Sequence, residues 1–207
     1  AQHAAFKHRE KPDRARANNR DIGFNLGRHG LSPESRGRDR RIFAGFKAFT
    51  RRGDQGLMEI ALDLPDLAAT EALAARLAPL LRPGDAVLLE GPLGAGKSAF
   101  ARALLRAATG DPALEVPSPT FTLVQSYDLP GGPAHHFDLY RLSGPAGLAE
   151  LGWDEAREGI VLVEWPERLG PLAPPNALRI HLTPGTAEEA RHLVLSGWDA
   201  RLEGLRP

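Results

Sequence analysis

Ala86-Val-Leu-Leu-Glu-Gly-Pro-Leu-Gly-Ala-Gly-Lys-Ser-Ala-Phe-Ala-Arg-Ala-Leu-Leu-Arg-Ala-Ala108 is the stretch from which the fold can be read. Its first five residues, Ala86–Glu90, form a short apolar run of the kind that makes a strand buried on both faces. Its last part, Lys97–Ala108, sets Phe100, Ala101, Leu104, Leu105 and Ala108 on one face of a helix. Between them Gly91–Ser98 fits G-x-x-x-x-G-K-[ST] at every fixed position, in the strand–loop–helix context that this phosphate loop requires. Glycines let the backbone turn tightly and approach an anion with no Cβ in the way. Their N–H groups form a concave nest, and the following helix adds the positive end of its dipole. Lys97 supplies a charge for the β- and γ-phosphates, and the Ser98 hydroxyl a ligand for Mg²⁺. Gly94, Ala95, Gly96, Lys97, Ser98 and Ala99 are therefore the expected ATP-binding residues, with ATP and Mg²⁺ as the expected cofactors. The loop implies a nucleotide and not a particular reaction, because kinases, switches and motors share it.

Upstream, Met58 marks a change of texture. Glu59–Leu64 alternates and predicts an edge strand; Asp66 offers an N-cap for a helix over Leu67–Leu81; Pro83-Gly84-Asp85 is a turn. Downstream, Phe121–Tyr127 and Ala134–Tyr140 read as strands of a hairpin joined by Pro130-Gly131-Gly132-Pro133. Gly147–Leu151 and Asp154–Glu158 are short helical pieces, and Ile160–Val163 is a second buried strand. Ala177–Leu182 and Arg191–Leu195 are late strands, and Trp198–Leu205 is a short terminal helix.

Net charge is zero over the 207 residues, but the two parts of the chain differ. Residues 1–57 hold 14 Lys+Arg against 6 Asp+Glu, and residues 58–207 hold 12 against 20. The first part scatters its apolar residues among Arg, Gly, Asn and Ser and cannot bury enough surface to offset chain entropy. Only Arg40–Arg51, with Phe43, Phe46 and Phe49 every third residue, suggests a short basic helix. The expected division is thus a basic, non-globular extension over 1–57 and an ATPase domain over 58–207. Met58 is the sole methionine, so the expectation is that translation starts there and that 1–57 is an artefact of start-site choice. A nucleic-acid-binding arm is the next reading; a transit peptide is disfavoured by the six acids. The absence of cysteine excludes disulfides, thiolate metal sites and a cysteine nucleophile. No apolar run reaches a membrane-spanning length, and a cytoplasmic location is expected.

A phosphate loop needs a carboxylate near the metal and one near the attacking water. Glu164 ends the run Ile160-Val161-Leu162-Val163, at the C-terminal edge of a parallel strand where ligands bind in open α/β sheets. Asp138, flanked by Phe137 and Leu139, points to the face opposite theirs; alone it would be an ordinary surface acid. His135 and His136 have no partner at metal-ligand spacing. Ser118-Pro119-Thr120-Phe121 is a stiff turn whose hydroxyls can meet phosphate or water, or do nothing beyond turning the chain. Trp165, directly after Glu164, reads more readily as packing than as function.

Taken together, Gly-Pro-Leu-Gly-Ala-Gly-Lys-Ser, Ser118-Pro119-Thr120-Phe121-Thr122-Leu123-Val124, His136-Phe137-Asp138-Leu139-Tyr140-Arg141-Leu142 and Leu162-Val163-Glu164-Trp165-Pro166-Glu167 resemble the TsaE (YjeE) family of bacterial ATPases. The likeness runs from about Met58 to Leu195. It implies an α/β fold of P-loop NTPase type, with a central sheet flanked by helices on both faces, an antiparallel hairpin and late strands. It implies Mg²⁺-dependent ATP binding with slow hydrolysis. It implies partnership with TsaD and TsaB, which form threonylcarbamoyl-adenosine at position 37 of tRNAs reading codons that begin with A. A member of the family does not transfer the threonylcarbamoyl group; its ATPase cycle lets the partners turn over. The resemblance assigns Lys97 to phosphate, Ser98 and Glu164 to the metal, Asp138 to the reacting water, and Thr120 and Trp165 to the site as motif residues. Two departures stand out. Ala99 follows Ser98 where relatives commonly carry a second hydroxyl, and Phe121 replaces a frequent tyrosine.

Arg141 is either a charge donor to the reaction or a structural ion-pair residue. Contact with tRNA is expected to be weak or indirect, since residues 58–207 are net acidic. A small nucleoside or metabolite kinase is the alternative enzyme, disfavoured by few basic residues after Lys97. A nucleotide-gated binding module is the non-enzymatic alternative.

Overall fold

Strand parity organises the molecule. The computed structural model describes residues 48–52 and 58–205. In β3 (Ala86–Glu90), Val87 and Leu89 enter one buried cluster while Ala86 and Leu88 enter another on the opposite face. In β6 (Ile160–Glu164), Ile160 and Leu162 join the first cluster, and Val161 and Val163 the second. Both strands are buried on both faces, and further strands flank them laterally. β3 pairs in parallel with β6 and with β7 (Leu178–Pro184), and β6 pairs in parallel with β5 (Gly132–Asp138).

The remaining strands are β1 (Ala48–Arg52), β2 (Met58–Leu64), β4 (Val124–Leu129) and β8 (Arg191–Ser196). They extend this parallel centre by antiparallel pairing into one sheet of order β1-β2-β8-β7-β3-β6-β5-β4. Helices α1 (Leu67–Leu77) and α2 (Lys97–Thr109) cover the face of Val87 and Ile160, through Leu73, Leu77, Phe100, Leu104 and Leu105. Asp66 caps α1 by accepting the Ala69 N–H at 2.8 Å, and Gly110 in the left-handed region ends α2. The other face is closed by short 3₁₀ turns and the four-residue α3 (Trp153–Ala156), which press Leu148, Trp153 and Leu169 onto Phe137, Val161 and Val163. Trp153 meets Phe137 edge to face at 5.3 Å. The α/β architecture is as expected.

Several boundaries differ. The strand at Glu59–Leu64 is not at the edge: β1 pairs with β2 from Ala48↔Leu62 to Arg52↔Met58. The end of the expected helix Arg40–Arg51 is therefore strand, because the outer edge of β2 offers N–H and C=O groups that a strand satisfies and a helix does not. The expected division at residue 57 falls between two paired strands. The rest of the 1–57 extension, residues 1–47 and 53–57, lies outside the described residues, as do the phenylalanines at 43 and 46. The helix from Leu67 tightens at Ala78–Leu80 into a 3₁₀ turn containing Pro79. The hairpin is tighter than the proline and glycine signal suggests, with Leu129 paired to Gly132 across Pro130-Gly131. Its first strand begins at Val124, not Phe121, because Leu123 adopts φ 65° and its N–H turns back to the Pro119 carbonyl at 2.7 Å. The terminal helix is reduced to a 3₁₀ turn, Leu202–Leu205. Just before it, Arg201 grips Asp85 through two bonds of 2.6 and 2.8 Å and stacks on Trp198, tying the end of the chain to the turn before β3. Among the described residues no helix is long and apolar enough to cross a membrane.

Candidate functional site

Even-numbered residues of β5 and β6 face the same side as α2. Ala134 and Ile160 fill the first cluster low on the strands, and His136, Asp138 and Glu164 follow at the same parity toward the C-terminal edge. Asp138 and Glu164 are register partners. The phosphate loop leaves β3 at that edge. Gly91 has φ 130°, and a Cβ there would lie 2.1 Å from the Leu182 carbonyl oxygen, so this position admits only glycine. Gly96 stands at φ 100° as the N-cap of α2, whose first helical bond runs from Phe100 N–H to the Gly96 carbonyl at 2.9 Å. The amides ahead of it have no intrahelical acceptor and face the mouth of the loop.

Lys97 is buried, and its Nζ donates to the Gly91 and Pro92 carbonyls at 2.8 and 2.9 Å. It also lies 3.7 Å from the centre of the Trp165 ring, which stands over it and against Tyr140 at 4.9 Å. Burial lowers the Lys97 pKa from 10.5, and the carboxylates of Glu164, Asp138 and Glu167 oppose that shift. Trp165 occupies this position with φ 61°, where the chain swings out of β6.

Ser98 donates through Oγ to Glu164 Oε2 at 2.9 Å. The other Glu164 oxygen, Oε1, lies 2.9 Å from His136 Nε2. Asp138 is held separately. Its Oδ2 accepts from Thr120 at 2.8 Å and from Ser118 at 3.2 Å, and its Oδ1 accepts the Tyr140 N–H at 3.1 Å. Ser118 and Thr120 also bond each other at 2.8 Å. The two acids thus have different tasks available: Glu164 sits on the serine of the loop, and Asp138 sits on the hydroxyls of the stiff turn.

A cavity of about 240 Å³ gathers Gly94, Gly96, Lys97, Ser98, Ala99, Thr120, Asp138, Glu164 and Trp165. Of the residues expected from the sequence, Ala95 alone is outside it: its side chain is fully buried in the core, leaving only its backbone for the site. Arg141 stacks on the exposed Phe121 at 4.6 Å and does not line the cavity. A larger groove of about 610 Å³ runs behind the loop between Pro92, Trp165, Glu167 and the Glu90–Arg179 pair.

Mg²⁺ is compatible with these donors. Ser98 and Glu164 present hard oxygens, and the serine lone pairs remain available while its hydrogen is given to Glu164. Among the described residues no three His, Cys, Asp or Glu side chains form a closed metal cage. The arrangement therefore suits an ion that takes most of its ligands from phosphate and water, as Mg²⁺ does. Two neighbours of the site escaped the sequence reading. His136 shares its face with Asp138, a parity that could have been noticed. Arg191, whose Nε would lie 3.1 Å from a Cβ at Gly96, reaches the loop only through the β7–β8 pairing.

The family model described as "Threonylcarbamoyl adenosine biosynthesis protein TsaE" matches residues 64–193. A protein of Nostoc sp. named tRNA threonylcarbamoyladenosine biosynthesis protein TsaE is 38% identical over 148 residues, which is 69% of this chain and 88% of that one. The protein of the same name from Rickettsia felis is 41% identical over 114 residues, 55% of this chain and 66% of its own length, just under two thirds. The crystal structure of Bacillus subtilis YdiB superposes with a TM-score of 0.58 at 28% identity, covering 72% of this chain and 92% of that one. A family model spanning most of the sheet, relatives near 40% identity and a shared P-loop-like α/β fold agree, and the chain belongs to the TsaE family.

Proposed function

We propose that this chain binds ATP with Mg²⁺, hydrolyses it slowly, and thereby sustains formation of threonylcarbamoyl-adenosine at position 37 of tRNAs reading codons that begin with A. It does so in the cytoplasm together with TsaD and TsaB, and it is not itself the transferase. The observation that carries the reading is the 2.9 Å bond between Ser98 Oγ and Glu164 Oε2 at the mouth of a glycine loop containing Lys97. The names of the relatives support the pathway.

The chain's own residues divide the work. Loop amides and the N-terminus of α2 hold the phosphates, and Lys97 moves from the loop carbonyls to the β- and γ-phosphate oxygens. Ser98 and Glu164 hold the metal, which when bound offsets negative charge on the phosphates. Asp138, fixed by Thr120 and Ser118, orients the attacking water and accepts its proton at a carboxylate oxygen. Trp165 walls the site from solvent. Among the described residues no arginine side chain lines the cavity, so turnover by this chain alone is slow and a partner completes the charge stabilisation. The net acidic charge of residues 58–207 makes direct tRNA affinity weak.

Lys97→Ala is expected to lose ATP binding by roughly a hundredfold, the value of a charge-assisted contact of about 3 kcal/mol. Glu164→Ala is expected to keep most nucleotide binding and lose hydrolysis. Calorimetric titration with an ATP analogue and a phosphate-release assay check both, and a wild-type rate in Glu164→Ala would refute the assignment. Reconstituting tRNA modification by TsaD and TsaB with and without this chain tests the pathway.

A further inference from the structure

His136 is wholly buried on β5, two residues before Asp138 and on the same face. Its ring is the only imidazole among the described residues in the buried set, and the mechanism above does not use it. Its Nε2 lies 2.9 Å from Glu164 Oε1, while Nδ1 is buried and has no hydrogen-bond partner. That asymmetry fixes the tautomer. A hydrogen on Nδ1 would be a donor sealed in the core with nothing to accept it, whereas a hydrogen on Nε2 is given to a carboxylate. Glu164 is therefore gripped at both oxygens by different elements: by β5 through His136 at Oε1 and by α2 through Ser98 at Oε2.

The grip matters because glutamate has three side-chain torsions, and a carboxylate that wanders among rotamers is a poor ligand. A carboxylate oxygen has two acceptor directions, so each Glu164 oxygen keeps one after accepting its hydrogen bond. We propose that His136 is a positioning residue. Its Nε2–H holds the Glu164 carboxylate in the rotamer that faces Ser98, and this sets the affinity of the nucleotide-bound protein for a divalent cation. The proposal rests on the reading of Glu164 as the carboxylate at the metal.

The test is Mn²⁺ binding, followed by the electron paramagnetic resonance signal of free Mn²⁺, to the full chain saturated with a non-hydrolysable ATP analogue. Glutamine offers an amide N–H near the position of Nε2, asparagine reaches only the position of Nδ1, and methionine fills the space with no donor. His136→Asn and His136→Met are expected to weaken Mn²⁺ about tenfold or more, and His136→Gln to return it to within about threefold of wild type. Analogue affinity in EDTA and the thermal midpoint separate this from a general loosening, and both are expected to stay near wild type in His136→Gln. Because the two variants that place no donor at the Nε2 position change volume differently, failure of one to fold leaves the other informative. Wild-type Mn²⁺ affinity in a folded His136→Asn or His136→Met, or equal weakening in His136→Gln and His136→Met, would overturn the proposal. Glu164→Gln is the control. If it binds Mn²⁺ as wild type does, the metal reading itself falls. If it loses Mn²⁺ while His136→Met does not, only the role of His136 falls.

Discussion

On the side covered by α1 and α2 lie Thr70 and Lys97 of the helices and His136, Asp138 and Glu164 of the strands, which are the five buried polar or charged residues among those described. On the opposite side the strands bury Phe137, Leu139, Val161, Val163 and Leu88 under short turns, and the buried set holds no charge at all. The strands are shared, so the contrast is one of parity: adjacent residues such as Phe137 and Asp138 serve opposite ends. A dry face fixes the strand ends from behind, and the polar face can then hold ionisable groups in place without spending its own packing on support. Full helices stand where an amide-lined terminus is needed, and mere turns suffice where only a lid for apolar surface is needed.

This division can be broken from either side. Trp153→Ala should be the most damaging change to the fold, at about 3–5 kcal/mol, because it empties the centre of the dry face. Urea unfolding would measure it, and nucleotide affinity per folded molecule should remain near wild type; a larger loss would mean that the faces are not independent. Thr120→Val acts in the other direction. It removes one hydrogen bond to Asp138 and should lower the hydrolysis rate about tenfold with nucleotide affinity little changed. A steady-state assay that showed only a KM effect would move Thr120 from orienting the acid to binding substrate.

The smallest effect belongs to His135, on the dry-face parity of β5 and bonded to Ser126 at 2.9 Å. Burial lowers its pKa from 6.5. The unfolded chain then binds a proton more readily than the folded one just below pH 6.5, so stability rises with pH through that window and levels off above it. His135→Gln should flatten that part of the stability–pH curve. An unchanged slope would show that the ring is solvated in the folded protein.

Much of the polar face was legible because its signals are local. The loop pattern, the apolar run that stops at Glu164 and the period of Lys97–Ala108 each lie within a few residues, and all their expected site residues except Ala95 meet in one cavity. The dry face was less legible. Leu148, Trp153 and Leu169 come from turns too short to show a helical period, and only the tertiary structure unites them. β1 escaped for a related reason: pairing to a distant edge, not its own pattern, makes Ala48–Arg52 a strand. Likewise, nothing adjacent to His136 in the sequence announces Glu164, 28 positions away. The alternation rule limits its side chain to one of two faces, but only the register of β5 against β6 supplies the partner.

The ammonium of Lys97, resting on two carbonyls of its own loop and against the Trp165 ring, has a consequence for turnover. In the proposed ATPase cycle, a cation with a built-in perch is not stranded when product phosphate departs, so the rebound of this one side chain lowers the cost of letting ADP go. The same perch competes with every incoming triphosphate. A chain that cycles its nucleotide as proposed, and does not hoard it, is served by such a weak but always available resting place.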